Sequence, residues 1–125
     1  MILDTNAVSA LADGVASLEV AAARVDVFAL PVIVIGEFRF GILRSRHRRR
    51  YESWLDRLVA VCNVLRLDEE TAAHYSTLRE ELRAAGRPIP SNDAWIAALA
   101  RQHDLPVLSR DAHFDEVTGL TRTSW

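Results

Sequence analysis

Short apolar segments alternate with longer amphipathic segments along the whole chain. The apolar segments lie at residues 1–4, 27–30, 64–67 and 105–108, and residues 120–124 could add an edge strand. Continuous apolar runs of this length are typical of strands buried on both faces. Strands that alternate with helices need crossover connections, so the pattern predicts an α/β fold with a mostly parallel central sheet and helices on both faces. At 125 residues, without a linker or repeat, we expect a single domain over residues 1–125.

The amphipathic segments predict helices over residues 6–12, 17–24, 34–44 and 48–61, then from a cap at Asp68 to about residue 85, and from Ser91 or Asn92 to about residue 103. The third helix is ambiguous because its β-branched start also favours a strand. We expect helix from about Val34, since Ile35, Phe38, Ile42 and Leu43 are near helical spacing. Thr71 is expected to lie too late for a capping box with Asp68.

Composition excludes several classes of protein. The chain contains no lysine, which excludes a P-loop nucleotide site, and its net charge of −2 argues against coating nucleic acid by bulk attraction. No apolar run approaches the roughly 20 residues of a membrane span, and the N-terminus does not resemble a signal peptide. The single cysteine, Cys62, cannot form an internal disulfide. A cytoplasmic protein is therefore expected.

Four acids are candidate site residues, and two of them lie directly where a parallel sheet places its sites. Asp4 ends the first strand and Asp111 follows a late one, while Glu37 interrupts an apolar stretch and Asp93 falls in the first turn of a helix. Taken singly, each has an ordinary explanation as a turn residue, a helix-dipole partner or half of a surface ion pair, for Glu37 with Arg39 or Arg44.

Taken together, these acids predict a metal site. Clustered carboxylates repel one another unless a cation or proton joins them, and all-oxygen sites suit Mg²⁺ or Mn²⁺. Such ions activate water and stabilise charge on phosphoryl and leaving oxygens. Cleavage of a phosphodiester needs those functions and needs neither lysine nor cysteine.

Four segments in order resemble PIN-domain proteins, and more narrowly the VapC toxins of toxin–antitoxin pairs. They are residues 2–6 (ILDTN), 36–42 (GEFRFGI), 92–98 (NDAWIAA) and 105–114 (LPVLSRDAHF). The resemblance covers essentially the whole chain. It implies a PIN-like fold and a metal-dependent endoribonuclease that cleaves RNA with one or two Mg²⁺ or Mn²⁺ ions.

The resemblance also assigns residues and partners. It maps the acidic site onto Asp4, Glu37, Asp93 and Asp111, with any one of them able to act as general base. Asn6 and Ser109 match positions where the family orients carboxylates or substrate with small polar side chains, and Asp115 is an optional further metal ligand. A homodimer and a cognate VapB-like antitoxin are implied. The antitoxin would place a basic residue among the acids. An apolar stretch of it would dock near Phe38, Phe40 and Trp54, which are expected to leave hydrophobic surface uncovered.

Other features leave alternatives open. An arginine cluster comprises Arg46, Arg48, Arg49 and Arg50. It is either a solvated helix start or a contact for RNA phosphates or for a partner protein. The histidines are expected at the surface or in packing, although His113 stands beside the acidic segment. Trp95 could stack on bases, with core packing expected. The competing functions are a structure-specific DNA nuclease of the same fold and a non-catalytic RNA-binding regulatory module, and the complete set of acids argues against the second.

Overall fold

The computed structural model describes residues 1–125 and alternates short strands with helices, as the sequence predicts. The strands are β1 (Ile2–Leu3), β2 (Ala29–Pro31), β3 (Asn63–Leu65), β4 (Val107–Leu108) and β5 (Arg122–Thr123). The α-helices are α1 (Thr5–Ala12), α2 (Ala16–Ala22), α3 (Val32–Ile42), α4 (Arg48–Val61), α5 (Glu69–Ala84) and α6 (Ser91–His103), and a 3-10 helix covers Ala112–Glu116.

The order in which the chain forms the strands reverses direction in the middle of the sheet, and this reversal is the switch point of the sheet. All neighbouring strands are parallel, in the order β3-β2-β1-β4-β5. The chain steps from β1 to β2 and β3 in one direction, then returns past β1 to β4 and β5. Because crossover connections are almost always right-handed, this reversal puts α5 and α6 on the face opposite α1 to α4. The crevice at such a reversal lies outside the carboxyl ends of β1 and β4, which is where α/β proteins bind ligands.

The core is built from both layers against the sheet. Twenty-five buried hydrophobic residues form one cluster that includes residues of β1 to β4 and of the inward faces of the helices. Helix α6 is buried over most of its length, and its alanines Ala94, Ala97, Ala98 and Ala100 allow close approach to its neighbours. No helix of the structure has the length and apolar character needed to cross a membrane.

The start of α3 differs from the sequence prediction. Pro31 belongs to β2 and also precedes the first residue of α3, so the helix begins at Val32 rather than at Val34. The buried positions are Val34, Phe38 and Ile42, whereas Leu43 is exposed. Burial of a stripe at i, i+4 and i+8 outweighs the few tenths of a kcal/mol by which each β-branched residue disfavours a helix.

Two helix caps also differ from expectation. Asp68 and Thr71 do form a capping box, since the Asp68 carboxylate accepts from the Thr71 N–H at 2.9 Å and the Thr71 hydroxyl accepts from the Asp68 N–H at 3.1 Å. Thr71 is the third residue of α5, the position from which a capping-box side chain reaches back to the cap residue, so the expectation that it lies too late is wrong. Helix α6 instead starts after Pro90 without a side-chain cap, so neither Ser91 nor Asn92 caps it.

Candidate active site

Asp4 follows β1 directly and points into the switch-point crevice with its side chain held from three sides. Its Oδ1 accepts from the Thr5 N–H at 2.7 Å, while Oδ2 accepts from the Ser109 hydroxyl at 2.7 Å and the Asn6 amide at 2.8 Å. The residue caps α1 and is only 4% exposed. The turn explanation for Asp4 is thus correct, and it coexists with a buried carboxylate of fixed orientation.

Ser109 connects the ends of β1 and β4. It is fully buried, donates to Asp4, and accepts from the Asp111 N–H at 2.9 Å and from the Asn6 amide at 3.1 Å. The Asn6 carbonyl oxygen in turn accepts from the Arg110 N–H at 3.1 Å. Asn6 and Ser109 therefore hold Asp4 against the loop after β4.

Glu37 reaches the same crevice from α3. Its Oε1 accepts from the Thr5 hydroxyl at 2.9 Å, next to the N–H by which Thr5 holds Asp4. The surface ion pair with Arg39 is not formed, because Arg39 pairs with Asp56 at 3.2 Å. Glu37 is consequently a half-buried, inward-facing acid.

The charges of these acids are coupled. Burial raises the pKa of Asp4 above its usual value, the hydrogen bonds from Ser109 and Thr5 oppose the rise, and the negative charges of Glu37 and Asp111 add to it. A carboxylate whose ionisation is disfavoured by its neighbours gains from a cation placed among them. The electrostatics of Asp4 therefore fit a cation site.

The pKa of Asp93 is raised by causes of the same kind. It lies in the first turn of α6 with its side chain 15% exposed. Burial, followed by the charges of Asp111 and Asp4, raises the pKa of Asp93 to about 6. All four predicted acids thus belong to one electrostatic cluster, contributed by β1, α3, α6 and the loop after β4.

His113 lies beside the acid cluster, although the histidines are expected from the sequence at the surface or in packing. Its Nδ1 lies 2.9 Å from Asp111 Oδ1 and 3.2 Å from Asp93 Oδ2. Partial burial by itself would lower the pKa of His113, but the carboxylates of Asp111 and Asp93 outweigh it and raise the pKa. The available signal was its position two residues after Asp111, in the turn that Asp111 caps.

Asp115 is engaged elsewhere. Both oxygens of its carboxylate accept from Arg122, at 2.8 and 2.7 Å, and this pairing lowers the pKa of Asp115. Arg122 also donates to the Ser109 carbonyl at 3.1 Å. The pair ties the 3-10 helix to β5 beneath the cluster, so we do not include Asp115 among the metal ligands.

The arginine cluster is exposed at the start of α4. Arg48 pairs with Glu52 at 2.7 Å, and Arg50 lies over the Tyr51 ring at 5.4 Å. The remaining two guanidinium groups, those of Arg46 and Arg49, make no ion pair. The cluster is therefore a solvated helix start with spare positive charge.

Aromatic residues divide between core and surface. Phe38 is buried against Trp54, with ring centroids 5.8 Å apart, so the expectation that Phe38 leaves apolar surface uncovered is wrong. Phe40, two residues later and on the opposite side of the helix, is 79% exposed. Trp95 stacks on Tyr75 at 3.8 Å, which supports packing as its role.

The donor set fits a divalent cation of the magnesium or manganese type. The cluster offers carboxylate oxygens from four residues and one imidazole, with no thiolate, and such ligands suit hard divalent ions. Burial is the largest cause of the raised pKa values of Asp4 and Asp93, and the negative charges of neighbouring acids add to both. A bound cation would supply the missing charge.

Comparisons with known proteins agree with this geometry. The PIN domain model matches residues 1–120. Ribonuclease VapC5 of Mycobacterium tuberculosis is 32% identical over 96 residues, which are 75% of this chain and 71% of that protein. The crystal structure of VapBC-5 of M. tuberculosis, a member of the VapBC family of toxin–antitoxin systems, matches with 30% identity and a TM-score of 0.77 over 98% of this chain and 94% of that one. DNA-bound VapBC of Salmonella typhimurium shares the fold, with 22% identity and a TM-score of 0.88 over 99% and 96%.

Proposed function

The chain belongs to the PIN-domain family, and we propose that residues 1–125 form one domain with metal-dependent endoribonuclease activity. In this proposal the protein is the toxin of a type II toxin–antitoxin pair. The observation that carries the proposal is the coupled cluster of four acids at the switch point of the sheet. The relative named as a ribonuclease matches across three-quarters of the chain, which supports RNA as the substrate.

The metal is proposed to be Mg²⁺ or Mn²⁺, held by Asp4, Glu37, Asp93 and Asp111. When bound, such an ion activates water and offsets the charge that develops on a phosphodiester during hydrolysis. The protein's own contribution is to fix the acids: Ser109, Asn6 and Thr5 hold the Asp4 carboxylate, and the Thr5 hydroxyl holds Glu37. Preorganised ligands avoid a reorganisation cost during the reaction.

Partners follow from the same proposal. The related solved structures named as toxin–antitoxin complexes support a VapB-like antitoxin as partner and inhibitor. A basic side chain of that partner would find charge-assisted hydrogen bonds among the four acids. We also propose a homodimer. The unpaired arginines at the start of α4 would contact RNA phosphates or the partner, which positions the substrate without reading its sequence.

The decisive experiment compares cleavage of labelled RNA by the wild-type chain and four variants, each with one acid neutralised: Asp4→Asn, Glu37→Gln, Asp93→Asn and Asp111→Asn. We expect each variant, and the wild-type chain after exhaustive chelation, to lose at least about a hundredfold in rate, the range for removal of one charge-stabilising group. Asp26→Asn, which changes an exposed acid in the turn before β2, is the matched control and should cleave normally.

Other results would contradict parts of the proposal. Near-wild-type cleavage in two of the four variants would refute a shared site, and full activity after chelation would refute metal dependence. Cleavage of single-stranded or branched DNA in preference to RNA would identify the DNA nuclease. RNA binding with no cleavage in any divalent metal would identify the regulatory module.

A further inference from the structure

His113 brings a nitrogen atom to two of the proposed metal ligands. Its Nδ1 lies 2.9 Å from Asp111 Oδ1 and 3.2 Å from Asp93 Oδ2. One donor atom from each of the three residues lies within 4.8 Å of the others. Asp93 comes from α6 and the other two from the turn after β4, so the tertiary structure creates this three-residue group.

The separations between the donor atoms match those between neighbouring ligands of one ion. In an octahedral site with bonds of about 2.1 Å, adjacent ligand atoms are about 3.0 Å apart. The two nitrogen–oxygen distances at His113 lie on either side of this value. A cation could therefore contact the imidazole and both carboxylates with little rearrangement of the side chains.

Packing does not account for the position of the imidazole. The His113 side chain is 48% exposed, and the buried anchor of the 3-10 helix is its neighbour Phe114. The backbone places the ring, because the His113 N–H donates to Asp111 Oδ1 at 2.9 Å. Of the other histidines, only His74 approaches a carboxylate, that of Glu70 at 3.9 Å. His113 alone lies against two.

We propose that His113 Nδ1 is a direct ligand of the metal ion, together with Asp93 and Asp111. The inference rests on the metal dependence proposed above and extends it to the choice of ion. Mg²⁺ takes oxygen ligands and keeps its waters, whereas first-row transition ions accept imidazole readily. The mixed nitrogen and oxygen set therefore shifts the site from Mg²⁺ towards Mn²⁺.

The test uses Mn²⁺ as the probe of the purified full chain. Pulsed electron paramagnetic resonance of bound Mn²⁺ detects a coordinated nitrogen directly, and we expect a ¹⁴N signal in the wild-type chain. Growth with ¹⁵N-labelled histidine should convert this signal to that of ¹⁵N, which assigns it to imidazole. The signal should disappear in His113→Asn and persist in His103→Asn, the control at the exposed end of α6.

Calorimetric titration supplies the second measurement. His113→Asn should reduce the ratio of Mn²⁺ to Mg²⁺ affinity by about tenfold, as expected for loss of one metal-orienting group. Circular dichroism should show an unchanged fold, since the side chain is half-exposed. Bound Mn²⁺ without a nitrogen signal would overturn the histidine ligand and leave metal dependence standing. Failure of the wild-type chain to bind Mn²⁺ or Mg²⁺ at all would overturn both.

Discussion

Replacement of Asp93 by asparagine should stabilise the metal-free protein while removing its activity. Burial and neighbouring acids raise the pKa of Asp93 from 3.8 to about 6, so folding favours the protonated side chain and ionisation costs free energy. The penalty is absent below about pH 3.8, grows as the pH rises towards 6, and is complete above that. Asparagine does not ionise, so the Asp93→Asn variant avoids this free-energy cost.

The magnitude follows from the size of the shift. At about 1.4 kcal/mol per pKa unit, the rise corresponds to roughly 3 kcal/mol. The carboxylate borders an open crevice, where water and counterions screen its neighbours, so we expect about 1 to 2 kcal/mol. For a domain of this size, that raises the melting temperature by roughly 4 to 8 °C.

The assay is thermal unfolding of the wild-type chain and Asp93→Asn at pH 8 and pH 4.5, with chelator and with Mg²⁺ or Mn²⁺. The increase in melting temperature of Asp93→Asn over the wild-type chain should be largest at pH 8 with chelator and small at pH 4.5. Metal should stabilise the wild-type chain more than the variant, since an ion that binds the folded state raises its stability. Asp26→Asn should show no such pH-dependent gain. No stabilisation at pH 8, or an equal gain at both pH values, would refute the reasoning.

Three further outcomes are expected. Ser109→Ala removes the buried hydroxyl between two acids and should cost about 1 to 3 kcal/mol in urea unfolding and slow RNA cleavage, whereas the exposed Ser53→Ala should do neither. Thr71→Val breaks the capping box of α5 and should cost about 1 kcal/mol, against little for the exposed Thr77→Val. The third variant neutralises the arginine cluster by combined changes at Arg46, Arg48, Arg49 and Arg50. It should reduce the salt dependence of RNA or partner affinity while bound RNA is still cleaved, because phosphate contacts add salt-dependent affinity. An unchanged salt dependence would argue against a binding role for the cluster.

Much of the fold was predictable because the spacing of apolar residues along the chain indicates whether a segment forms a strand or a helix. Apolar runs bounded by turns marked the strands, and helical spacing marked most helices to within a few residues. Asp4 and Asp111 could be proposed as site residues because both follow strands, and the carboxyl ends of parallel strands meet at one edge of a sheet. Glu37 was proposed because it interrupts an apolar stretch, Asp93 because it lies in the first turn of a helix, and both because of the family resemblance.

Two of the misassigned details have a common physical cause. The start of α3 at Val32 and the burial of Phe38 depend on contacts with distant segments. The capping box of Asp68 and Thr71 is local, since the two residues are three positions apart, and that spacing was misjudged from the sequence. Intrinsic preferences of a few tenths of a kcal/mol per residue are small beside the burial of a large side chain, which contributes about 2 kcal/mol. Packing therefore decides such boundaries.

The alternation of elements, the parallel sheet and the four candidate acids could all be read from the amino-acid sequence. The strand order could not, and it is this order that creates the switch point between β1 and β4 around which those acids lie. That order also brought His113 to Asp93, twenty residues earlier in the chain. The physical reason is that lateral strand order depends on how whole helices cover the two faces of the sheet, a sum of long-range contacts that no local periodicity encodes.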